Sequence, residues 1–319
     1  MESKIGVALS GGGARGLAHL GVLQVLEEAG VPVDVVAGTS MGGIVACLYA
    51  AGIPLDDLIA FSEKIGVIDL ASPDLKWRGL FGHEKTANLL ADLLGSDDVT
   101  FEVLDIPASV VCADIETGEL VVLDRGPIIP AMLATSSVPG VFSPMYHQGR
   151  WLVDGGVLNN LPVDVVCRMG AERVLGVNVP PSVDLSPEDE EMSKGLSLRG
   201  LRFFGHHIPD WRLPFLIAEA SAGITIQAIN RTRLALFPPD LLLEIRLPGV
   251  GLFSTGDGAE IEAGRRAAMA HLEELIELKT EPVLPHWRKW QRSVINRLRL
   301  AWVMLRRPSP ALYPGRTAI

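Results

Sequence analysis

The sequence predicts an α/β protein in which helices cover both faces of a mostly parallel central sheet, a three-layer α/β/α arrangement. The first 52 residues contain two units of one kind, each with a short apolar run followed by a segment whose apolar residues have helical spacing. This alternation of strand-like and helix-like segments continues to about residue 180. Repeated βα units are typical of a parallel sheet covered by helices.

The elements follow from apolar periodicity and from glycine and proline at their ends. The first unit is a strand over 5–10 and a helix over 17–28 that ends at Gly30, and the second is a strand over 33–37 and a helix over 44–51 that ends at Gly52. Further strands are predicted over 108–113, 120–123, 151–153, 174–179 and 241–246. Further helices are predicted over 128–135, 163–169, 218–236 and 259–278.

These elements predict one main domain over residues 5–280, with the motif-bearing core over 5–167. Residues 53–100 read as helices and loops that form part of a cap. A proline-rich and acidic stretch breaks the pattern after residue 180, and residues 196–217 mix aromatic residues with glycine and proline, which predicts a loop or lid. A basic tail follows over 284–319.

Charge is distributed unevenly along the chain. The net charge is −10, yet residues 286–307 contain seven basic and no acidic side chains, which leaves the rest of the chain at −17. An acidic body is a poor partner for nucleic acid. A helix over 286–307 would place three tryptophans and several aliphatic residues on one face and most arginines opposite, a pattern typical of a helix lying on an anionic membrane surface. Docking of that helix on the acidic body, or on a partner, is the alternative.

Compartment and redox state follow from what the sequence lacks. The N-terminal residues do not have the pattern of a signal peptide, and no apolar run approaches the ~20 residues of a membrane span. We therefore expect a cytoplasmic protein, peripheral at the inner face of the membrane if the tail binds there. Cys47, Cys112 and Cys167 are widely spaced in apolar runs, so we expect reduced core thiols rather than disulfides or a zinc site.

The candidate chemistry begins with the turn Gly38-Thr39-Ser40-Met41-Gly42, between the second strand and its helix. A Gly-x-Ser-x-Gly turn at this position exposes a serine as a nucleophile, and the start of the helix directs its positive end at the site. Asp154, followed by Gly155 and Gly156, is the candidate base. The simpler explanations are that Ser40 caps the helix and that Asp154 shapes a turn.

Donors for an oxyanion come from the loop Gly11-Gly12-Gly13-Ala14-Arg15-Gly16, which follows the first strand. The amides of Gly11, Gly12 and Gly13 can converge with the amide of Met41 near Ser40 and form an oxyanion hole. Arg15 could contact a lipid phosphate or could hold the loop in place, and geometry alone does not separate the two roles.

Two other classes of enzyme share parts of this pattern. The glycine loop also matches the Gly-x-Gly-x-x-Gly motif of dinucleotide-binding proteins. A ribose-binding acid would lie at the end of the second strand, however, whereas Asp34 lies near its start. An α/β-hydrolase needs a histidine after the acid, and the downstream candidates are His206, His207, His271 and His286. In that fold the nucleophile follows several strands, whereas Ser40 follows only the second.

Three motifs, in their order along the chain, are the glycine loop at 11–16, the Ser40 turn and the triplet that begins at Asp154. They resemble those of the patatin-like phospholipases, more narrowly the bacterial members related to the catalytic domain of neuropathy target esterase. The runs Ala134-Thr135-Ser136-Ser137-Val138-Pro139 and Asn159-Asn160-Leu161-Pro162 are similar too. The resemblance implies a patatin-like fold and a Ser40–Asp154 dyad without histidine, metal or cofactor. Arg15, Gly16, Gly38, Gly42, Gly155 and Gly156 would support the motifs.

The expected function is therefore hydrolysis of a lipid carboxylic ester through an acyl-enzyme, with a lipid as substrate and no nucleic acid as partner. Two alternatives stay open. One is a catalytically idle protein that binds lipid or regulates another protein, and the other is a dinucleotide-binding enzyme. The lipid, the acyl position and the oligomeric state stay open at this stage.

Overall fold

A computed structural model describes residues 3–64, 72–73, 81–180, 213–250 and 258–280 of the chain. The ten strands in this part are β1 Ile5–Leu9, β2 Val35–Thr39, β3 Ser72–Pro73, β4 Phe81–Gly82, β5 Ala108–Asp114, β6 Leu120–Leu123, β7 Met145–His147, β8 Arg150–Asp154, β9 Arg173–Asn178 and β10 Leu241–Glu244. The ten α-helices are α1 Ala18–Glu28, α2 Met41–Ala50, α3 Leu55–Lys64, α4 Glu84–Leu94, α5 Ile128–Thr135, α6 Gly156–Asn159, α7 Val163–Arg168, α8 Leu213–Leu236, α9 Ala259–Ala270 and α10 Leu272–Thr280.

The central sheet has eight strands and is mostly parallel. Strands β10, β9, β1, β2 and β5 lie side by side in that order, and each neighbouring pair among them is parallel. Strands β6 and β8 pair with β5 in the antiparallel sense, and β7 pairs with β8 in the same sense. The fold class expected from the sequence is therefore confirmed.

Helices cover both faces of this sheet, because β1, β2 and β5 are buried along their whole length and need apolar partners on each side. A large cluster of buried side chains joins the sheet to α1, α2, α5 and α9. A smaller cluster, which includes Ala8, Ala37 and Val111, packs under α7 on the opposite face. The strands that carry the sequence motifs are thus held in the middle of three layers.

Some local expectations differ from the structure. The helix expected over 259–278 is divided into α9 and α10, and α8 already includes residues 213–217 of the expected lid. The cap region contains α3 and α4, whereas the short strands β3, β4 and β7 were not predicted. Cys47 and Cys112 are buried as expected, but Cys167 is exposed on α7, so its prediction as a core thiol was wrong.

Some segments predicted from the sequence lie outside the described ranges. The remainder of the expected lid and the whole tail over 284–319 lie there. Within the described ranges, no helix combines the length and the apolar character that a bilayer span requires. The domain boundaries 5–280 and 284–319 stay predictions.

Candidate active site

Ser40 occupies the sharp turn between β2 and α2. Its backbone has φ 54° and ψ −128°, a conformation that a residue with a Cβ adopts only under constraint from its surroundings. The turn is tight, because a Cβ added to Gly38 would lie 2.1 Å from the carbonyl oxygen of Gly42. The Ser40 side chain makes no capping hydrogen bond to α2. Its hydroxyl is therefore not used as a helix cap, the simpler explanation for a serine here.

Asp154 reaches Ser40 because β2 and β8 both pair with the same edge of β5 and run toward each other along it. Thr39, the last residue of β2, pairs with Val111, and Asp154, the last residue of β8, pairs with the next residue, Cys112. The other side of β5 is taken by β6 at these positions. Two strands that end head to head leave Ser40 and Asp154 facing each other, with the Ser40 hydroxyl close enough to lower the pKa of the Asp154 carboxyl group.

The Asp154 carboxylate is held in a buried, hydrogen-bonded position. Its Oδ1 accepts a 2.7 Å hydrogen bond from the Gly156 amide, and only 7% of the residue is exposed. Burial raises the pKa of Asp154 from 3.8 to about 6, against the hydrogen bonds from Ser40 and Gly156, which lower it. A carboxylate with such a pKa is a stronger base than an ordinary aspartate yet still ionised at neutral pH.

The glycine loop lies directly beside Ser40. A Cβ on Gly11 would come 3.0 Å from the Cβ of Ser40, and one on Gly16 would come 2.5 Å from the Cγ of Met41. The Gly11 amide donates a 3.1 Å hydrogen bond to the Asn160 carbonyl, and the Asn160 side chain donates back to the Gly11 carbonyl. This engaged amide does not fit the predicted part of Gly11 in an oxyanion hole.

The other predicted donors lie where backbone amides have no partner inside their helix. Gly13 begins a 3-10 turn over Gly13–Leu17, Gly12 precedes it, and Met41 is the first residue of α2. The first N–H groups of a helix are left without intrahelical acceptors. Gly12, Gly13 and Met41 therefore stay the candidate oxyanion donors.

Arg15 braces the loop. It is 3% exposed, and its guanidinium donates a 2.8 Å hydrogen bond to the carbonyl oxygen of Val250. Of the two roles considered from the sequence, this geometry supports the structural one. The guanidinium ties the loop to the chain between β10 and α9. Because the side chain is buried, it is not exposed to a lipid phosphate.

Two residues of the further runs that resemble family motifs, Thr135 and Asn160, also contact the site. The Thr135 hydroxyl accepts a 3.0 Å hydrogen bond from the Ser40 amide, and Asn160 holds Gly11 as described above. Thr135 ends the helix predicted over 128–135, and Asn160 lies a few residues after the Asp154-Gly155-Gly156 triplet. The several polar side chains in these two runs were the available signal.

The described histidines do not complete a triad. His19 is fully buried, its Nε2 lies 2.8 Å from the Ser10 carbonyl, and burial lowers its pKa to about 4. His271 pairs with Glu274 at the surface. No histidine in the described ranges hydrogen-bonds to Ser40 or Asp154, while His206, His207 and His286 lie outside those ranges.

The geometry also argues against a dinucleotide site. The Asp34 carboxylate accepts a 2.6 Å hydrogen bond from the Ile5 amide, at the amino ends of β1 and β2. The glycine loop lies at the carboxyl ends of the same strands. A ribose-binding acid would have to lie beside that loop, so Asp34 is at the wrong edge of the sheet.

A cavity of about 480 Å³ lies away from Ser40. Its lining includes Tyr49, Ile53, Asp56 and Asp105 around the C-terminal end of α2, whereas Ser40 lies at the N-terminal end. A ten-residue helix is ~15 Å long, so the cavity is separate from the candidate site. Within the described part of the chain, no three His, Cys, Asp or Glu side chains are grouped to hold a metal ion.

A buried aspartate facing a serine on a strained strand-to-helix turn, within a mostly parallel sheet, defines a class of α/β proteins with the framework of a serine hydrolase. Residues 7–166 match the family model described as "Patatin-like phospholipase". The chain belongs to the patatin-like phospholipase family.

Relatives were found by sequence and by structure. An uncharacterized NTE family protein of Mycobacterium tuberculosis, Rv1063c, is 35% identical over 179 residues, 55% of this chain and 49% of that protein. Lysophospholipase NTE1 of Mycosarcoma maydis is 33% identical over 192 residues, 57% of this chain and 10% of that protein. The crystal structure of VipD from Legionella pneumophila aligns at 16% identity and a TM-score of 0.49, covering 86% of this chain and 67% of that one. The chain thus spans about half the length of the first of these relatives, and far less of the second.

Proposed function

We propose that the protein hydrolyses carboxylic esters of lipids, with Ser40 as nucleophile and Asp154 as its base. The observation that carries this proposal is that Ser40 and the buried Asp154 carboxylate face each other where β2 and β8 end against β5, with the Ser40 hydroxyl close enough to lower the pKa of that carboxyl group. Membership of the family and the lysophospholipase name of one relative support an ester-linked lipid as the substrate.

In the first half of the proposed reaction, Ser40 Oγ attacks the acyl carbonyl carbon while Asp154 accepts the hydroxyl proton. The amides of Gly12, Gly13 and Met41 stabilise the negative oxygen of the tetrahedral intermediate. The bond from the acyl carbon to the alcohol oxygen then breaks, and Asp154 returns the proton to the departing alcohol. This leaves the acyl group esterified to Ser40.

In the second half, water replaces the alcohol and the steps reverse. Asp154 takes a proton from the water, whose oxygen attacks the acyl carbon. The bond to Ser40 Oγ breaks, and the proton passes from Asp154 to Ser40. The raised pKa of Asp154, about 6, brings its basicity closer to neutral pH and so favours both proton transfers.

Labelling with a fluorophosphonate probe tests the nucleophile. We expect the wild type to label, Ser40→Ala not to label, and Asp154→Asn to label at least ~100-fold more slowly because it lacks the base. A panel of phospholipid, lysophospholipid and neutral glyceride substrates then identifies the ester. Folded wild type that neither labels nor hydrolyses any of them would favour the idle lipid-binding protein, and activity that survives both substitutions would reject the dyad.

The basic tail adds a second part to the proposal, which is peripheral attachment to an anionic membrane. The tryptophans and seven basic residues of 286–307 have the composition of an interfacial segment, and cytoplasmic leaflets carry the complementary negative charge. Sedimentation with vesicles tests it. We expect the full chain to bind vesicles that contain phosphatidylserine and to be released by high salt, and we expect replacement of Arg288, Lys289 and Arg292 by Gln to weaken binding. Equal binding by wild type and variant would contradict this attachment.

A further inference from the structure

A single buried hydroxyl separates the Ser40 turn from the neighbouring strand. Thr135, the last residue of α5, is fully buried. Its hydroxyl accepts a 3.0 Å hydrogen bond from the Ser40 amide and donates one to the carbonyl oxygen of Val111 on β5. A hydroxyl used in both directions has a defined orientation, so it links the two backbones as a fixed bridge.

The Thr135 hydroxyl takes the place of a direct hydrogen bond between β2 and β5. The Val36 amide donates directly to the Pro107 carbonyl, a regular bond between parallel strands β2 and β5. In a regular parallel ladder the bonds from one strand recur every second residue, so the same series would join the Ser40 amide to the Val111 carbonyl. Instead, the Thr135 hydroxyl lies between these two groups. The two strands separate at this residue, and both backbone groups keep a hydrogen-bond partner.

The Thr135 methyl group and the carbonyl of Ser137 contact two further parts of the site, α2 and Asp154. A Cβ added to Gly43, in the first turn of α2, would lie 2.9 Å from the Thr135 methyl group, so that methyl packs against the helix. The carbonyl of Ser137 accepts a 2.9 Å hydrogen bond from the Asp154 amide. Residues 135–137 therefore fix the backbone of the proposed nucleophile and the backbone of the proposed base.

We propose that Thr135 is a positioning residue that separates β2 from β5 and thereby holds Ser40 in its strained turn toward Asp154. The inference rests on the proposed function for its effect on rate, but its structural part does not depend on it. Thr135 hydrogen-bonds to the Ser40 backbone amide, and its hydroxyl takes no part in the proposed proton transfer. Its removal should therefore misplace the nucleophile without changing the groups that react.

Two substitutions separate the hydroxyl from the methyl group. Thr135→Val keeps the shape and loses the hydroxyl, whereas Thr135→Ser keeps the hydroxyl and loses the methyl. We expect Thr135→Val to lower kcat for a p-nitrophenyl ester, and the rate of fluorophosphonate labelling, by about 10- to 100-fold with KM within about twofold. We expect Thr135→Ser to stay within about threefold of wild type. Melting temperatures of both variants are measured alongside, because a general loss of stability would not distinguish the hydroxyl from the methyl.

Hydrogen exchange provides a readout that needs no activity. In Thr135→Val the Ser40 amide, followed in the peptide spanning residues 36–48, should exchange at least about tenfold faster than in Thr135→Ser, because it has lost its acceptor. If wild type neither hydrolyses nor labels, the proposed function fails, and this exchange comparison alone decides the positioning role. Equal exchange in the two variants overturns the inference, and so does wild-type kcat and labelling in a folded Thr135→Val protein.

Discussion

The buried Asp154 carboxylate makes the folded protein less stable at neutral pH than a neutral side chain at the same position would. In the unfolded chain the pKa of this group is 3.8, and in the folded protein it is about 6. Between these values the folded protein keeps a proton that the unfolded chain has released, so the free energy of unfolding falls as pH rises. Above about pH 7 the penalty of about two pKa units is complete, which corresponds to about 3 kcal/mol.

Asp154→Asn removes this penalty because an amide does not ionise, while its carbonyl oxygen can still accept the hydrogen bond from Gly156. We expect the stability of Asp154→Asn relative to wild type to increase by about 2.5 kcal/mol between pH 4 and pH 8. Guanidinium unfolding of both proteins, followed by circular dichroism across this range, measures the difference. The gain in stability should accompany the loss of labelling by the same variant.

Ser40→Ala serves as a control for the physical cause of the raised pKa of Asp154. The Ser40 hydroxyl lowers the pKa of Asp154, so its removal should raise that pKa and move the upper end of the stability change to higher pH. The reasoning is refuted if the difference between Asp154→Asn and wild type does not vary with pH. It is also refuted if wild type gains stability over the variant as pH rises.

Three further predictions concern the site and its supports. kcat/KM should rise with pH and reach half its plateau near pH 6, since only ionised Asp154 accepts the proton; a pH-independent rate from 5 to 8 would contradict this. Gly38→Ala should lower stability by about 1–3 kcal/mol or more and abolish labelling, because its Cβ meets the Gly42 carbonyl; thermal unfolding and labelling like wild type would show that the turn can relax. Arg233→Ala should cost about 3–5 kcal/mol in urea unfolding by leaving buried Asp164 without its 2.8 Å partner on α8, and a cost under about 1 kcal/mol would mean that Arg168 compensates.

The local parts of the site were predictable from the sequence because short-range rules produce them. A buried strand, a Gly-x-Ser-x-Gly turn and a helix follow one another within about fifteen residues, and only glycine fits where Gly38 meets Gly42. The same holds for the glycine loop after β1. Such segments need no information about distant parts of the chain.

The remainder depends on pairing between distant residues. Nothing in the sequence states that β8 continues the line of β2 along β5, although this pairing is what brings Asp154 to Ser40. The bridge through Thr135 and the use of the Gly11 amide by Asn160 also arise from contacts over long sequence separations. Cys167 was misassigned for a related reason, since apolar neighbours on a short helix do not show which side faces solvent.

The head-to-head arrangement of β2 and β8 has a consequence during synthesis. Chains are made from the N-terminus, and domains tend to fold in that direction. A chain that has emerged only through β5 already holds Ser40 but lacks the carboxylate, which arrives 40 residues later on a strand that must turn back against β5. Under the proposed mechanism, an unfinished polypeptide has no base for its serine and cannot hydrolyse a lipid ester until β8 has joined the sheet.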